Sequence, residues 1–370
     1  MQPRKIVAIK LRSLGDTVLM TAPLNELRKA YPSAEIHVVA DSRWTPLLET
    51  HPAIDRLWNY ERYEDRAARA KAVARLALRL RKEKFDLAVN FHASPSSSLI
   101  AFSTGARQRA IHFHGHQHKN RYSTVEIPGK GIVKPIIERD MDTLRGLGLH
   151  IPAGRLPDLV MQPGEQLKSD ERLSQAGRSQ PVLGIGLGAT RPTKCWPIER
   201  YAQLAIEWYR LEGGSTYAIA GPTEAAQAQA FLKEVDHLLP QMLPDAKARA
   251  EARAKISAIH TLSVRELAST LSRFAVFVGN DSGPRHVAIA VRVPTVTLFG
   301  PEDPYEWHPY PKERHPYFFI EGLPCRKDAA PGMPPWCGLH VCTQEEHRCL
   351  RQIGVEVVLQ AAQKVALRHA

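Results

Sequence analysis

The chain has 370 residues, 44% of them hydrophobic, which suffices for two cores of roughly 100 to 200 residues each. A formal net charge of +12 implies an anionic partner: nucleic acid, an acidic membrane or a phosphorylated substrate. No apolar run approaches the roughly 18 residues of a spanning helix, the N-terminus MQPRKIVAIKLRS lacks the apolar core and cleavage site of a signal peptide, and an odd number of cysteines, five, argues against a disulfide framework. A cytoplasmic protein is expected.

Lys5 to Lys10, KIVAIK, predicts a buried first strand. It runs through Leu11 to Asp16 into a helical pattern from Thr17 to Tyr31, and a second strand is expected at Glu35 to Ala40. This is β-α-β, and in parallel α/β sheets ligands gather beyond the carboxyl ends of strands, so Asp16 lies at a ligand edge. Either it caps its helix or, with no basic neighbour nearer than Arg12, it is free to take a proton from a substrate hydroxyl; the residues leave both open.

Arg62 to Lys84 is basic and amphipathic, with Val73, Leu76, Ala77 and Leu80 on one side. It reads as a crossover helix with solvated charges leading into a strand at Phe85 to Phe91, with attachment to an anionic membrane surface as the alternative. His112, His114, His116 and His118 alternate and in an extended chain would share one face. A loop facing a phosphorylated acceptor is preferred there over a metal site, since no acidic or cysteine ligand accompanies them. Breaker and polar residues between Gly164 and Gln180 mark the boundary, giving a first domain at 1–170, a second at 171–350 and a final helix at 351–370.

The second half restarts with a buried strand at Pro181 to Leu187. Beyond it Gly188 frees the backbone, Thr190 offers a hydroxyl and Lys194 a compact positive charge, pinned by Trp196 and Pro197; the grouping suits a diphosphate. Glu224 closes the next strand, where it either binds ribose hydroxyls or starts a helix. Met242 to Ile256 is expected as an exposed helix, and Ser263 with Glu266 has capping-box spacing.

Phe274 to Pro301 is the richest stretch: strand, polar turn, short helix, strand. Its turn, Gly279-Asn280-Asp281-Ser282-Gly283-Pro284, would leave backbone N–H groups open at a helix N-terminus, a cradle for phosphate. Ser282 adds a hydroxyl, Gly283 permits close approach, and His286 would point back to the same anion. Asp281 repels phosphate and must face a sugar hydroxyl or a cation. Asp281 and Ser282 acting simply as helix caps is the competing reading. Further on, Cys325, Cys337, Cys342 and Cys349 are interleaved with His340 and His347 but lack paired C-x-x-C knuckles, so packed or free thiols are expected rather than zinc.

With these motifs in order, IKLRSLGDTVLMTAPLNELRKAYP, LGATRPTKCWPIERYAQLA, AIAGPTE, VGNDSGPRHVAIAVRVPTVTLFGPEDP and EHRCLRQI, the chain resembles glycosyltransferase family 9, the ADP-heptose:lipopolysaccharide heptosyltransferases. The resemblance implies an α/β GT-B architecture: two Rossmann-like domains with parallel sheets across a cleft, the first for the acceptor, the second for the nucleotide-sugar, the final helix crossing back toward the first. It implies Asp16 as general base; Thr190 and Lys194 neutralising the ADP leaving group; Ser282 and Gly283 on phosphate, supported by His286; Asp281 at the donor sugar or orienting the loop; and Glu224 on ribose. The implied reaction is an inverting transfer from ADP-heptose to a phosphorylated lipopolysaccharide-core acceptor, with no metal or other cofactor and no Asp-x-Asp triplet expected, and with peripheral contact at the cytoplasmic face of an anionic inner membrane. Two residues depart from the family pattern: Cys195, where a basic residue is common, and Asn90, where an acidic one is. Another nucleotide-sugar or glycan acceptor on the same fold is one alternative. The other is a non-catalytic nucleotide- or nucleic-acid-binding protein, disfavoured because the basic residues lack interleaved aromatics.

Overall fold

The computed structural model describes residues 2–92, 94–112, 121–129, 133–173, 181–328, 335–344 and 346–367. Two units divide the chain, Met1–Val160 and Met161–Ala370.

The first unit contains β1 (Lys5–Lys10), α1 (Leu14–Leu19), α2 (Thr21–Ala30), β2 (Glu35–Asp41), β3 (Arg56–Tyr60), α3 (Arg66–Lys82), β4 (Leu87–Asn90), α4 (Pro95–Ser103), β5 (Gln108–Ile111) and α5 (Ile136–Arg145). Among the described residues its strands form one parallel sheet in the order β3-β2-β1-β4-β5. Ile6, Val7, Ala8 and Ile9 are fully buried, as a continuous apolar run in a strand covered on both faces must be. The order reverses between β1 and β4, so the crevice where a ligand can enter lies beyond their carboxyl ends. α3 is the expected crossover helix: Asp65 caps it by accepting the Ala68 N–H, Val73, Leu76, Ala77 and Leu80 are buried, and its arginines are exposed. Of the histidine run only His112 lies within the described residues. It is buried just past β5, its N–H donating to the Asn90 carbonyl at 2.9 Å.

The second unit contains α6 (Pro163–Leu173), β6 (Val182–Gly186), α7 (Ile198–Glu212), β7 (Ser215–Ile219), α8 (Ala225–Met242), α9 (Ala246–Lys255), β8 (Ile256–Ile259), α10 (Val264–Leu271), β9 (Val276–Asn280), α11 (Gly283–Ala290), β10 (Thr295–Phe299), α12 (Pro304–Trp307), β11 (Tyr317–Phe319), α13 (Arg348–Arg351) and α14 (Val355–Leu367). Its parallel sheet runs β11-β10-β9-β6-β7-β8, the same winding, with the reversal between β6 and β9. Ser263 and Glu266 form the expected capping box on α10.

Three boundaries differ from expectation. α6 belongs to the second unit, because Ser169 bonds Ser269 at 2.7 Å, Arg172 bonds Glu266 at 2.6 Å and Glu165 pairs with Arg265; the division therefore falls at Val160 rather than near 170. The last helix, α14, expected as an element separate from the second domain, contributes Val355, Val358, Leu359, Ala362, Val365 and Ala366 to the second unit's own core. The exposed helix expected over 242–256 is interrupted, since Asp245 caps a fresh helix, α9, by accepting the Ala248 N–H. Among the described residues no helix is long and apolar enough to cross a membrane.

Candidate active site

In the second unit the two segments leaving the sheet at the reversal, after β6 and after β9, are joined by one buried amide. The Asn280 side chain donates to the Leu187 carbonyl at 2.9 Å and accepts from the Trp196 N–H at 2.8 Å and the Tyr201 hydroxyl at 2.9 Å. This fixes the turn Pro192–Lys194 over the start of α11, with Trp196 buried beneath it. Lys194 consequently reaches Asp281: its ammonium pairs with one carboxylate oxygen, while the other accepts from Arg285 one helical turn on, at 2.6 Å. Burial alone would raise the Asp281 carboxyl, but Lys194 and Arg285 outweigh it and hold it well below the usual carboxylate range.

Arg285 is fully buried, its guanidinium 5.1 Å from the Phe299 ring centroid and donating to the Trp307 carbonyl at 2.8 Å. It also lies 3.3 Å from His308 Nδ1. Burial and this cation push His308 down to about 3, so it is neutral, with Nδ1 accepting from Arg285 and Nε2–H donating to the His315 carbonyl at 2.7 Å. His286 is buried against the Tyr310 hydroxyl, and burial together with Arg285 lowers it well below the ordinary histidine value. It therefore brings a neutral imidazole to the turn, not the charge that an anion-facing histidine would offer.

Ser282 precedes α11 without capping it, and among the described residues its buried hydroxyl has no hydrogen-bond partner. Capping by Ser282 is thus set aside. Gly283 opens the helix and Thr190 is exposed beside the turn. Glu224 lies at the ends of β6 and β7, where its carboxylate accepts the Gly221 N–H at 2.6 Å and lies 2.2 Å from where a Cβ on Gly188 would stand. A side chain at 188 would push that carboxylate aside, so glycine there leaves Glu224 its place. Both Asp281 oxygens are engaged by cations of the unit, Lys194 and Arg285, the cation partner being one of the two expected for it.

In the first unit Asp16 sits in the first turn of α1, beyond the end of β1, and is buried. Its Oδ2 accepts from the Ser13 hydroxyl at 2.7 Å, and among the described residues Oδ1 has no hydrogen-bond partner. Arg12 lies 3.8 Å from Oδ2, as expected of its nearest cation, but a second, buried cation joins it. Lys10, 1% exposed, points from the last position of β1 to within 4.0 Å of Oδ1 and is tethered by buried Asp140 on α5. Burial works to raise the Asp16 carboxyl, but Lys10, Arg12, Ser13 and His92 together hold it below the usual range. An Asp-x-Asp triplet does occur, Asp140-Met141-Asp142, contrary to expectation. Its carboxylates are engaged within the unit, Asp140 by Lys10 and Asp142 by Lys134 at 2.7 Å and Arg145 at 2.8 Å.

Reading the sequence missed Arg285, Asn280, Tyr310, Lys10 and Asp140. Arg285 carried a usable signal, an arginine four residues after an aspartate, across the turn into a helix. Lys10 was visible only as a strand-end charge.

Two doubly wound parallel units of this kind define the GT-B fold class. A solved structure titled as glycosyl transferase family 9 from Veillonella parvula DSM 2008 superposes with a TM-score of 0.77 at 24% identity, over 99% of this chain and 98% of that one. The E. coli ADP-heptose lps heptosyltransferase II gives 0.73 at 20% identity, over 98% and 99%. Among curated proteins, lipopolysaccharide heptosyltransferase 3 of Escherichia coli (strain K12) is 26% identical over 308 residues, 81% of this chain and 83% of that protein. The model of Glycosyltransferase family 9 (heptosyltransferase) matches residues 73–330, and the chain belongs to that family. It is a glycosyltransferase. The matched span includes the whole Lys194–Asp281–Arg285 cluster but not Asp16.

Proposed function

We propose that this enzyme moves heptose from ADP-heptose to a phosphorylated inner-core sugar of lipopolysaccharide, with inversion and without a metal. The observation that carries the reading is the turn at the second unit's reversal, where a lysine, an uncapped helix N-terminus and an unpartnered buried hydroxyl stand together. Lys194 has three ammonium donors and spends one on Asp281, which leaves two for the diphosphate. The N–H groups opening α11, the Ser282 hydroxyl and Thr190 supply the remaining contacts, with Glu224 on the ribose. As the bond from the anomeric carbon to the diphosphate oxygen breaks, charge grows on ADP, and fixed donors stabilise it without having to reorganise.

In the first unit Asp16 serves as base. It is ionised at neutral pH, and the free Oδ1 accepts the proton of the acceptor hydroxyl as that oxygen bonds to the anomeric carbon. Being a weak base, it takes the proton late, once bond formation has acidified the hydroxyl. The net positive charge answers to the phosphorylated acceptor and to an anionic bilayer; peripheral contact at the cytoplasmic membrane face through the exposed arginines of α3 is part of the proposal. Calorimetric titration with ADP, UDP and GDP, each with and without magnesium, tests it. Metal-independent preference for ADP is expected. Preference for UDP or GDP moves the donor to another sugar, and no binding removes the catalytic reading.

A further inference from the structure

The turn after β6 carries two cations, and each reaches a carboxylate beyond the sheet. Lys194 pairs with Asp281, just past β9, and Arg191 pairs with Glu302, just past β10. In the sheet β9 lies between β6 and β10. The Arg191 and Glu302 side chains therefore meet across the exit of β9, where α11 opens and the Ser282 hydroxyl is without a hydrogen-bond partner among the described residues.

The pair is only 12% and 17% exposed, and Glu302 is poorly placed for a carboxylate. Burial raises its carboxyl above the ordinary value, Lys194 and Arg191 offset this only in part, and Asp281 and Glu306 add like charge. The other printed bond of Arg191, to the Cys337 carbonyl at 3.1 Å, leaves its charge unneutralised. Nor does the turn depend on this pair for its shape. The Thr193 hydroxyl donates to the Leu339 carbonyl at 2.7 Å, His347 Nε2 lies 2.9 Å from the Thr193 carbonyl, and Asn280 holds the Trp196 N–H.

We propose that Arg191 is a further cation for the diphosphate, with Glu302 as its exchangeable counter-ion: when a diphosphate enters the exit of β9, the guanidinium passes from the carboxylate to phosphate oxygens. This deepens the donor-site reading and rests on it. A guanidinium fork matches two oxygens of a phosphate as it matches those of a carboxylate, so Arg191 makes the exchange by a change of partner. Glu302 is then left beside the incoming negative charge. It thus lowers the affinity for ADP and favours release of the spent leaving group after transfer.

Calorimetric titration of the full chain with ADP and with inorganic pyrophosphate tests this. In Glu302→Gln, where a neutral amide replaces the carboxylate, both ligands should bind about tenfold more tightly than in wild type. A pair that merely braced the turn would give weaker binding when broken. The double variant Arg191→Ala/Glu302→Gln, which lacks both charges, should bind both ligands at least about tenfold more weakly than Glu302→Gln alone. Should Glu302→Gln fail to fold, Arg191→Lys decides: it keeps the charge and loses the fork, and should weaken both ligands at least about threefold. Unchanged or weaker binding in Glu302→Gln, equal affinity in the single and double variants, or unchanged affinity in Arg191→Lys overturns the proposal. Any of these in a chain whose wild type binds ADP leaves the donor-site reading standing, whereas a wild type that binds neither ligand overturns both.

Discussion

Each unit places a buried aspartate beyond its sheet's point of reversal, and the two differ in how fully they are satisfied. Asp281 has both oxygens taken by cations, Lys194 on one side and Arg285 on the other. Asp16 has one oxygen on Ser13 and the other, Oδ1, without a hydrogen-bond partner among the described residues, with Lys10 held back at 4.0 Å by Asp140. A saturated carboxylate can orient its neighbours but has no lone pair placed for a substrate proton. A half-satisfied one, kept ionised by cations that do not bond to it directly, has one.

The largest effect that separates them is on turnover. Asp16→Asn should lower kcat by about 10²- to 10⁴-fold, the range for a general base, while the dissociation constant for ADP stays put. Steady-state kinetics beside calorimetry checks this, and equal loss of both would break the comparison. The acid limb due to Asp16 should lie below its ordinary value of 3.8, because its folded value is lowered.

Asp281→Ala should instead be felt in folding. It strands Arg285, fully buried, without a carboxylate, a change that costs about 3–5 kcal/mol in denaturant unfolding. Since the folded Asp281 carboxyl lies below its ordinary value of 3.8, its contribution is complete above that pH and is lost as pH falls through the folded value. Wild-type stability should therefore fall more steeply on acidification than that of Asp281→Asn. Parallel acid-unfolding curves would show that Asp281 is not the anchor its two ion pairs indicate.

How much of this contrast could be read beforehand follows the distance over which each contact is made. β1, β6, β9 and β10 were legible because a doubly covered strand needs an unbroken apolar run, and the capping box at Ser263 because cap and partner are three residues apart. β3, with the sequence RLWNY, was missed because its exposed Arg56 and Asn59 dilute the apolar signal of an edge strand. β8 was lost because the Ala- and Lys-rich helix before it was run straight through to Ile256. Asp16, Lys194 and Asp281 were each named from local motif, but their partners were not. Lys10 and Asp140 stand 130 residues apart, and a lysine closing an apolar strand gives no hint that it turns inward. The convergence of four scattered cysteines on one cavity is of the same kind.

Lys194 sharpens the contrast from the cation's side. Lys194→Ala removes charge-assisted contacts worth about 1.5–3 kcal/mol, so ADP should bind roughly 10- to 100-fold more weakly. Asp281 keeps Arg285, so the unfolding midpoint should move far less than in Asp281→Ala. Unchanged ADP affinity would leave Lys194 as a partner of Asp281 and nothing more.

The smallest expected effect concerns the third carboxylate, Glu224, which is partly satisfied like Asp16 but by a backbone amide, the Gly221 N–H at 2.6 Å. If its free capacity serves the ribose, Glu224→Ala should weaken ADP by about 1 kcal/mol, roughly fivefold, and leave inorganic pyrophosphate binding unchanged. Pyrophosphate is the needed control because Glu224 packs over Gly188, and removing it could loosen the backbone leading to Lys194. A turn disturbed in that way would weaken both ligands together, whereas a lost ribose contact would weaken only the one that has a ribose. Equal weakening would therefore make Glu224 a support for the diphosphate turn, placing it with Asp281 among the carboxylates that orient rather than with Asp16.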